Sequence, residues 1–244
     1  MSYSLRFATE ADAEAITNVN IAAFGSSGNK AHSLLFPKHL RTPTSDQDIY
    51  MFRAEMIRPL LNREKHPERW NMVSVFKGDD GVEEIAGYSH WETPAAVNDD
   101  TSTKNQSVEE RIAAIATRAR GLPTCLDTDA LAEFMRAAER LMKDTIGEQG
   151  DKDMWTLGGL GVSPKHQRKG VGAALVRWGL ERAKEDGRDT YLIATAPGRT
   201  LYLGLGFKDV GEERELLGEP HRSMIKAVDM VAGGEGVAGV RERT

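Results

Sequence analysis

The stretch LGGLGVSPKHQRKGVGAAL, residues 157–175, decides the fold of this chain. The apolar run at its start predicts a strand, and the residues from Val171 onward have the apolar spacing of an amphipathic helix. The turn between them contains Gly170 and Gly172 and opens that helix. The first turn of a helix presents backbone N–H groups that lack intrahelical partners, at the positive end of the helix dipole. The sequence therefore predicts a strand–turn–helix unit that binds an anion, usually a phosphate or a pyrophosphate.

Two familiar phosphate-binding loops do not fit these residues. A nucleoside triphosphate loop ends in Gly-Lys followed by Ser or Thr, and this turn has no such ending. A dinucleotide fingerprint has a third small residue three positions after Gly172, where Leu175 stands. It also has an acidic residue after the next strand, whereas the strand predicted over 190–195 ends in Ala196-Pro197. Both kinds of nucleotide site are excluded.

A tyrosine block, LYLGLGF at residues 201–207, follows the turn at a fixed distance. The turn itself reads Gln-x-x-Gly-x-Gly-Ala over residues 167–173. Together the two blocks resemble the acyl-CoA-binding signature of the GNAT superfamily of N-acetyltransferases, whose second half is Leu-Tyr-x-x-x-Gly-Phe. The resemblance is specific over residues 157–210. It implies an α/β fold with a mixed, splayed and mostly antiparallel sheet flanked by helices, and acetyl-CoA as co-substrate.

The resemblance gives each residue of the two blocks a role. Gln167 opens the motif, and Leu160 and Val162 are expected to line the strand along which the pantetheine arm lies. Tyr202 is expected to protonate the departing CoA thiolate as a general acid. The residues whose backbone N–H groups are expected to hold the CoA pyrophosphate are Arg168, Lys169, Gly170, Gly172 and Ala173.

The general base is less well defined by the sequence. Many members of the family carry a carboxylate on the strand before the turn, and residues 157–162 contain none. Glu92 and His90 lie on or beside an earlier predicted strand, and Asp153 lies just upstream of residue 157. Because an amine near neutral pH must lose a proton before it attacks, any of the three could act, directly or through a water molecule.

The resemblance predicts an acetyl-CoA-dependent N-acetyltransferase that moves an acetyl group directly to a primary amine, most simply that of a small molecule. Two alternatives stay open. The first is an acyl-CoA-binding sensor or partner module without turnover, which the missing strand carboxylate favours and Tyr202 disfavours. The second is transfer to a hydroxyl or to a protein amine instead of a small amine.

Composition restricts the class of partner and the location. The net charge of −5 argues against a nucleic-acid partner and mildly favours amine-bearing substrates. No apolar run approaches membrane-spanning length, so no membrane association is expected. The six histidines lie apart, which predicts no metal site. The single Cys125 excludes an internal disulfide and suits a reducing, cytoplasmic location.

We expect a single acetyltransferase domain over residues 1–230 and a flexible tail over 231–244. The patterns predict a first strand at 5–7, a capped helix from Thr9, a loop-rich segment over 25–48, a helix over 49–61 that Pro59 ends, and a hairpin of strands at 70–76 and 84–91. A closing strand is predicted over 221–228. Residues 98–105 read as a loop.

A helical insertion over residues 107–147 is the least expected part of the chain. Ser107 and Glu110 form a capping box for its first helix, and the spacing of Leu131, Phe134 and Leu141 predicts a second helix. Simple packing against the sheet is the favoured role for this insertion. Covering the acceptor site, or forming the interface of a homodimer, are the alternatives.

Overall fold

The computed structural model describes residues 2–24, 30–94, 106–147 and 150–228, with the backbone alone at residues 151 and 152. The loop predicted at 98–105 lies outside the described residues, and so does the predicted tail at 231–244. Seven strands form a single sheet in the spatial order β1-β2-β3-β4-β5-β7-β6. The strands are β1 (Ser2–Phe7), β2 (Arg69–Lys77), β3 (Glu83–Glu92), β4 (Trp155–Val162), β5 (Thr190–Thr195), β6 (Lys208–Leu216) and β7 (Glu219–Lys226).

The sheet is mixed and mostly antiparallel, as the sequence predicts. Among the described strands, β4 and β5 form the one parallel pair, and every other neighbouring pair is antiparallel. The helices are α1 (Ala13–Phe24), α2 (Lys30–Leu35), α3 (Ser45–Ile57), α4 (Val108–Arg118), α5 (Thr128–Ile146), α6 (Gly150–Asp153), α7 (Val171–Glu185) and α8 (Ala196–Gly204). This arrangement confirms an α/β fold with helices on the sheet.

The prediction of a loop-rich segment over 25–48 is wrong where the structure describes it. Helix α2 and a 3-10 turn at Lys38–Leu40 lie within it, and α3 begins at Ser45, four residues before the predicted start at Ile49. The first turn of α3 is polar and carries Asp46 and Asp48, which suit the positive end of the helix dipole. A polar first turn has no apolar periodicity, and so the pattern placed the helix start too late.

Strand β6 was also not predicted. It is an edge strand whose residues are mostly exposed and highly charged. Charged residues are the usual protection of a sheet edge, but they remove the apolar alternation by which a strand is detected.

Helix α7 covers one face of the sheet. Its Val176 packs with Trp91, Trp155 and Leu157 from β3 and β4 in the largest core cluster. The helix comes very close to β3 at Gly179, where a Cβ atom would lie 2.1 Å from the Trp91 ring. A glycine at this position is therefore what lets the helix and the sheet approach.

The helical insertion packs on the opposite face. Helix α4 has the predicted capping box, with Glu110 N donating to Ser107 Oγ at 3.1 Å. Residues Cys125 and Leu126, between α4 and α5, join Phe36 and Ile49 in one buried cluster. Helix α5 is tied to β7 because Thr145 Oγ1 lies 3.0 Å from Ser223 Oγ. The insertion thus packs on α2, on α3 and on the β7 end of the sheet, in agreement with the favoured role.

No helix of the described residues is both long and apolar enough to cross a bilayer. In the same ranges, no group of three or more His, Cys, Asp or Glu side chains is arranged to hold a metal ion.

Candidate functional site

A cleft opens between β4 and β5. The two strands pair through Trp155, Thr156 and Leu157, opposite residues 190–192, and separate beyond that point. The register of β3 on β4 shifts at the same place, since Trp91 faces Leu157 and His90 faces Gly159. Gly158 is the extra residue of this bulge, and a bulge bends a strand and increases its twist. The bulge accounts for the separation of the strands and leaves one edge of residues 158–162 without a described partner strand.

The glycine turn lies at the open end of this cleft. Gly170 has a φ of 83° and is the N-cap of α7, and Arg168 has a φ of 60°. Left-handed residues in such a turn make successive N–H groups converge into a concave anion site. Because Gly170 has no side chain, it cannot cap the helix, and it offers no side-chain acceptor to the first N–H groups of α7, which include those of Gly172 and Ala173. Lys169 is exposed beside them.

The turn is held in place by contacts with its neighbours. Gln167 Nε2 donates to the carbonyl oxygen of Val162 at 3.1 Å, which closes the turn back onto β4. His166 is 3% exposed, with its Nδ1 3.0 Å from Tyr3 Oη and its Nε2 2.7 Å from Glu84 Oε1. Such a turn is preorganised, because its conformation does not depend on the ligand. Gln167 is thus a residue that shapes the turn.

Leu160 and Val162 lie on the side of β4 that faces α7. A Cβ atom at Gly172 would be 3.9 Å from Leu160 Cδ2, 3.5 Å from Val162 Cγ2 and 3.3 Å from Leu201 Cδ2. The start of α7 is therefore packed closely against both predicted lining residues and against α8.

Tyr202 lies on α8, directly after β5. It is 8% exposed, and its burial raises its pKa to about 12. Its ring packs edge-on against Phe207 at a centroid distance of 5.8 Å, next to Leu157 in the core cluster. Within the described residues, its hydroxyl has no hydrogen-bond partner, and burial is the one cause of its raised pKa. The phenol therefore keeps its proton at any physiological pH and has it available for a group in the cleft.

The other side of β4 has no side chains of its own over Gly158, Gly159 and Gly161. Two side chains of β3 fill this space. A Cβ atom at Gly161 would lie 2.4 Å from Tyr88 Cε1, and one at Gly158 would lie 3.0 Å from His90 Cδ2. This face of β4 thus carries no carboxylate over residues 158–161, and an imidazole and a phenol from β3 lie beside it.

His90 is linked to Glu92, one of the predicted catalytic residues. His90 Nδ1 lies 2.8 Å from Asn71 Oδ1, and donation to this oxygen leaves the lone pair of the neutral ring on Nε2. His90 Nε2 is 3.2 Å from Glu92 Oε1, and Arg69 Nη2 is 3.1 Å from the same carboxylate oxygen. Arg69 Nη1 also lies 3.2 Å from His90 Nε2, so the imidazole, the Glu92 carboxylate and the Arg69 guanidinium form one polar cluster next to the bulge.

The structure does not bring Asp153 to this pair. Asp153 ends α6, before β4 begins, and its carboxylate is exposed and 3.5 Å from Arg188 Nη1. It precedes the start of β4, whereas His90 and Glu92 lie on β3, opposite Gly159 and Thr156. Sequence reasoning missed Tyr88 altogether. The available signal was the Gly-Gly-x-Gly spacing of β4, which empties one face of a strand and indicates a close approach by another group.

Comparisons with known proteins agree with this geometry. A mosquito arylalkylamine N-acetyltransferase like 5b superposes with a TM-score of 0.58 at 15% identity, over 92% of this chain and 99% of that one. A histone acetyltransferase HPA2 and related acetyltransferase from Corynebacterium glutamicum gives 0.54 at 19% identity, over 96% and 100%. An acetyltransferase of Stachybotrys chartarum is 41% identical over 51 residues, which are 21% of this chain and 22% of that protein. The match therefore spans about a fifth of the length of that curated relative. The model of the acetyltransferase (GNAT) family matches residues 85–207, half of the chain, and the chain belongs to this family.

Proposed function

We propose that the protein transfers an acetyl group from acetyl-CoA directly to the primary amine of a small molecule. The observation that carries this proposal is the cleft between β4 and β5, with the glycine turn at its mouth and beside it a tyrosine hydroxyl that has no hydrogen-bond partner among the described residues. The residues present fit acetyl-CoA. The turn from Gln167 to Ala173 would hold the pyrophosphate, and the unpaired edge of β4 would accept the pantetheine arm as an added strand.

Tyr202 is proposed as the general acid. Its pKa of about 12 keeps the phenol protonated, so it can donate a hydrogen bond to the sulfur as negative charge develops there. Backbone N–H groups on the unpaired edge of β4, near Val162, would polarise the thioester carbonyl. Such fixed donors need no reorganisation during the reaction.

Glu92 is proposed to act as the base, taking the proton of the incoming amine through a water molecule. Arg69 Nη2 contacts the same carboxylate and would hold it near the bulge at Gly158. Asp153 stays a weaker prediction for this role because it already faces Arg188 at the surface.

A small-molecule acceptor is supported by the kind of protein that has this fold. The mosquito protein is named an arylalkylamine N-acetyltransferase, and so the fold is compatible with transfer to a small amine.

Calorimetric titration with acetyl-CoA, followed by a thiol-release assay over a panel of amines, tests the proposal. Tyr202→Phe should lower kcat by about 100-fold while the Kd for CoA stays within about twofold, since general acid catalysis typically contributes 10²–10⁴-fold. Tyr191→Phe is the matched control, because Tyr191 is a buried tyrosine whose hydroxyl bonds Ser223 at 2.9 Å, away from the cleft. Binding of acetyl-CoA without release for any amine would instead favour the sensor alternative.

The remaining predictions are proposed here as well. We place the protein in the cytoplasm, where its buried Cys125 stays a reduced thiol. We also propose a single domain over residues 1–230, supported by the single sheet that joins all described strands. A homodimer formed through the α4–α5 insertion stays a prediction, and sedimentation analysis would test it.

A further inference from the structure

A chain of hydrogen bonds leads from the cleft strand to an arginine on α3. The Tyr88 ring covers the glycine face of β4, and Asn20 Nδ2 of α1 donates to Tyr88 Oη at 2.6 Å. Arg53 Nη1 then donates to Asn20 Oδ1 at 2.8 Å. Two hydrogen bonds therefore link the guanidinium of Arg53 to Tyr88, the β3 residue whose ring lies against β4. The side chains of Tyr88 and Asn20 are held in place, because the polar group of each takes part in these hydrogen bonds.

Arg53 carries a partly buried charge that no carboxylate among the described residues neutralises. Burial lowers the pKa of Arg53 from its usual value. Within residues 2–24, 30–94, 106–147 and 150–228, no carboxylate forms an ion pair with it. Its neighbours besides Asn20 are His32 Nδ1 at 3.2 Å and the Phe36 ring, whose centroid is 5.8 Å from Cζ. Burial and the nearby guanidinium lower the pKa of His32, which keeps that ring neutral.

The surrounding carboxylates are already paired elsewhere. Asp46, on the same helix, pairs with Arg41, and Glu55 lies 3.5 Å from Arg58. A desolvated guanidinium without an opposite charge is unfavourable, and proteins seldom keep one without a use for it. Among the described residues, Asn20 and His32 use two of the five N–H groups, which leaves the other three for a planar anion.

We propose that Arg53 binds a carboxylate of the acceptor, so that the acceptor is a small amine that also carries a carboxylate. This inference rests on the proposed function and assigns the substrate class of the same site. A carboxylate accepts two parallel N–H bonds from a guanidinium, which orients as well as attracts it. The Tyr88–Asn20–Arg53 chain then sets the distance between the bound carboxylate and the cleft. An acceptor of this kind is a zwitterion, so the protein's net charge of −5 does not exclude its binding.

The test is a set of matched acceptors. The ω-amino acids β-alanine, 4-aminobutyrate and 5-aminovalerate, and the α-amino acid phenylalanine, are each compared with their methyl esters by thiol release. The wild type should prefer one of the carboxylates over its ester by at least about tenfold in kcat/KM. Arg53→Gln should remove that preference while leaving the KM for acetyl-CoA within about twofold. Arg58→Gln, on the same side of the fold but already ion-paired, is the matched control and should keep the preference.

A binding measurement separates this inference from the proposed function. Each of the four carboxylates is titrated calorimetrically into the CoA complex of the wild type, of Arg53→Gln and of Arg53→Lys. Binding that Arg53→Gln abolishes and Arg53→Lys weakens supports the carboxylate site, even if no thiol is released and the transferase proposal fails. Turnover of esters as good as that of the acids, or an unchanged preference in a folded Arg53→Gln protein, would overturn the inference. A preference for aminoalkyl phosphonates over the matching carboxylates would overturn it too.

Discussion

Replacing Gly161 with alanine tests the contact between β4 and Tyr88. A Cβ atom at this position would lie 2.4 Å from Tyr88 Cε1, and carbon atoms in proteins pack at about 3.5–4.0 Å, so the ring must move by roughly 1 Å. The ring cannot move freely because its hydroxyl bonds Asn20 at 2.6 Å. Gly161→Ala should therefore disturb a buried contact at the cleft.

Three contributions set the expected loss of stability in Gly161→Ala. Overpacking in a well-packed region costs about 1–3 kcal/mol, and loss of the Tyr88–Asn20 hydrogen bond costs about 1 kcal/mol. Alanine regains about 0.5–1 kcal/mol over glycine in a strand. The net destabilisation expected for Gly161→Ala is about 2 kcal/mol, which lowers Tm by roughly 4–8 °C for a domain of this size.

Gly159→Ala is the matched control on the same strand and the same face. Its Cβ atom would meet His90 Cβ at 3.8 Å and Tyr88 Cε2 at 4.0 Å, both ordinary contacts. This variant should be as stable as the wild type or more stable by up to about 1 kcal/mol. Differential scanning calorimetry and urea unfolding of the three proteins measure the difference. Equal stability of Gly161→Ala and Gly159→Ala would refute the reasoning, since it predicts that only the first displaces Tyr88.

Three further predictions concern the glycine turn, the proposed general acid Tyr202 and the contact between α7 and β3. Gly170→Ala should raise the KM for acetyl-CoA by about tenfold, because its φ of 83° disfavours alanine and a Cβ atom would stand against the ligand. Gly187→Ala, at a φ of 65° away from the cleft, should show the strain without the KM effect. Because the pKa of Tyr202 is raised to about 12, log kcat/KM should rise with pH to a plateau and stay there through pH 10. A fall of log kcat/KM that begins below pH 10 would contradict the assignment of Tyr202 as the general acid. Gly179→Ala should lower stability by about 1–3 kcal/mol in urea unfolding despite the better helix propensity of alanine, since the new methyl group would overlap the Trp91 ring, and an unchanged midpoint would argue against that contact.

Much of the fold followed from patterns that are short in sequence. The glycine turn, the helix that it opens and the β2–β3 hairpin appear where the sequence predicts them, with bounds shifted by a residue or two. Each depends on neighbours within a few residues, such as a cap, a turn or a run of apolar side chains. The start of helix α3 and the whole of strand β6 were not predicted. Their residues are polar or charged, and partners far along the chain decide the burial of such residues.

The general base shows the limit of the sequence most clearly. The chain offered Glu92, His90 and Asp153 as equal alternatives. The register of β3 against β4 puts His90 and Glu92 beside the bulge, and the start of β4 puts Asp153 next to Arg188. Strand register is fixed by pairing between segments about seventy residues apart, and no local pattern contains it.

By itself, the sequence determined the glycine turn that opens α7, the family signature and the tyrosine that follows it, because these are local features that depend on adjacent residues. The tertiary structure alone decided that Tyr88 and His90 fill the glycine face of β4, and that Arg53 reaches the same place through Asn20. These groups come from four separate segments of the chain. Their meeting is a consequence of strand pairing and helix packing, in which each contact depends on the whole fold being in place.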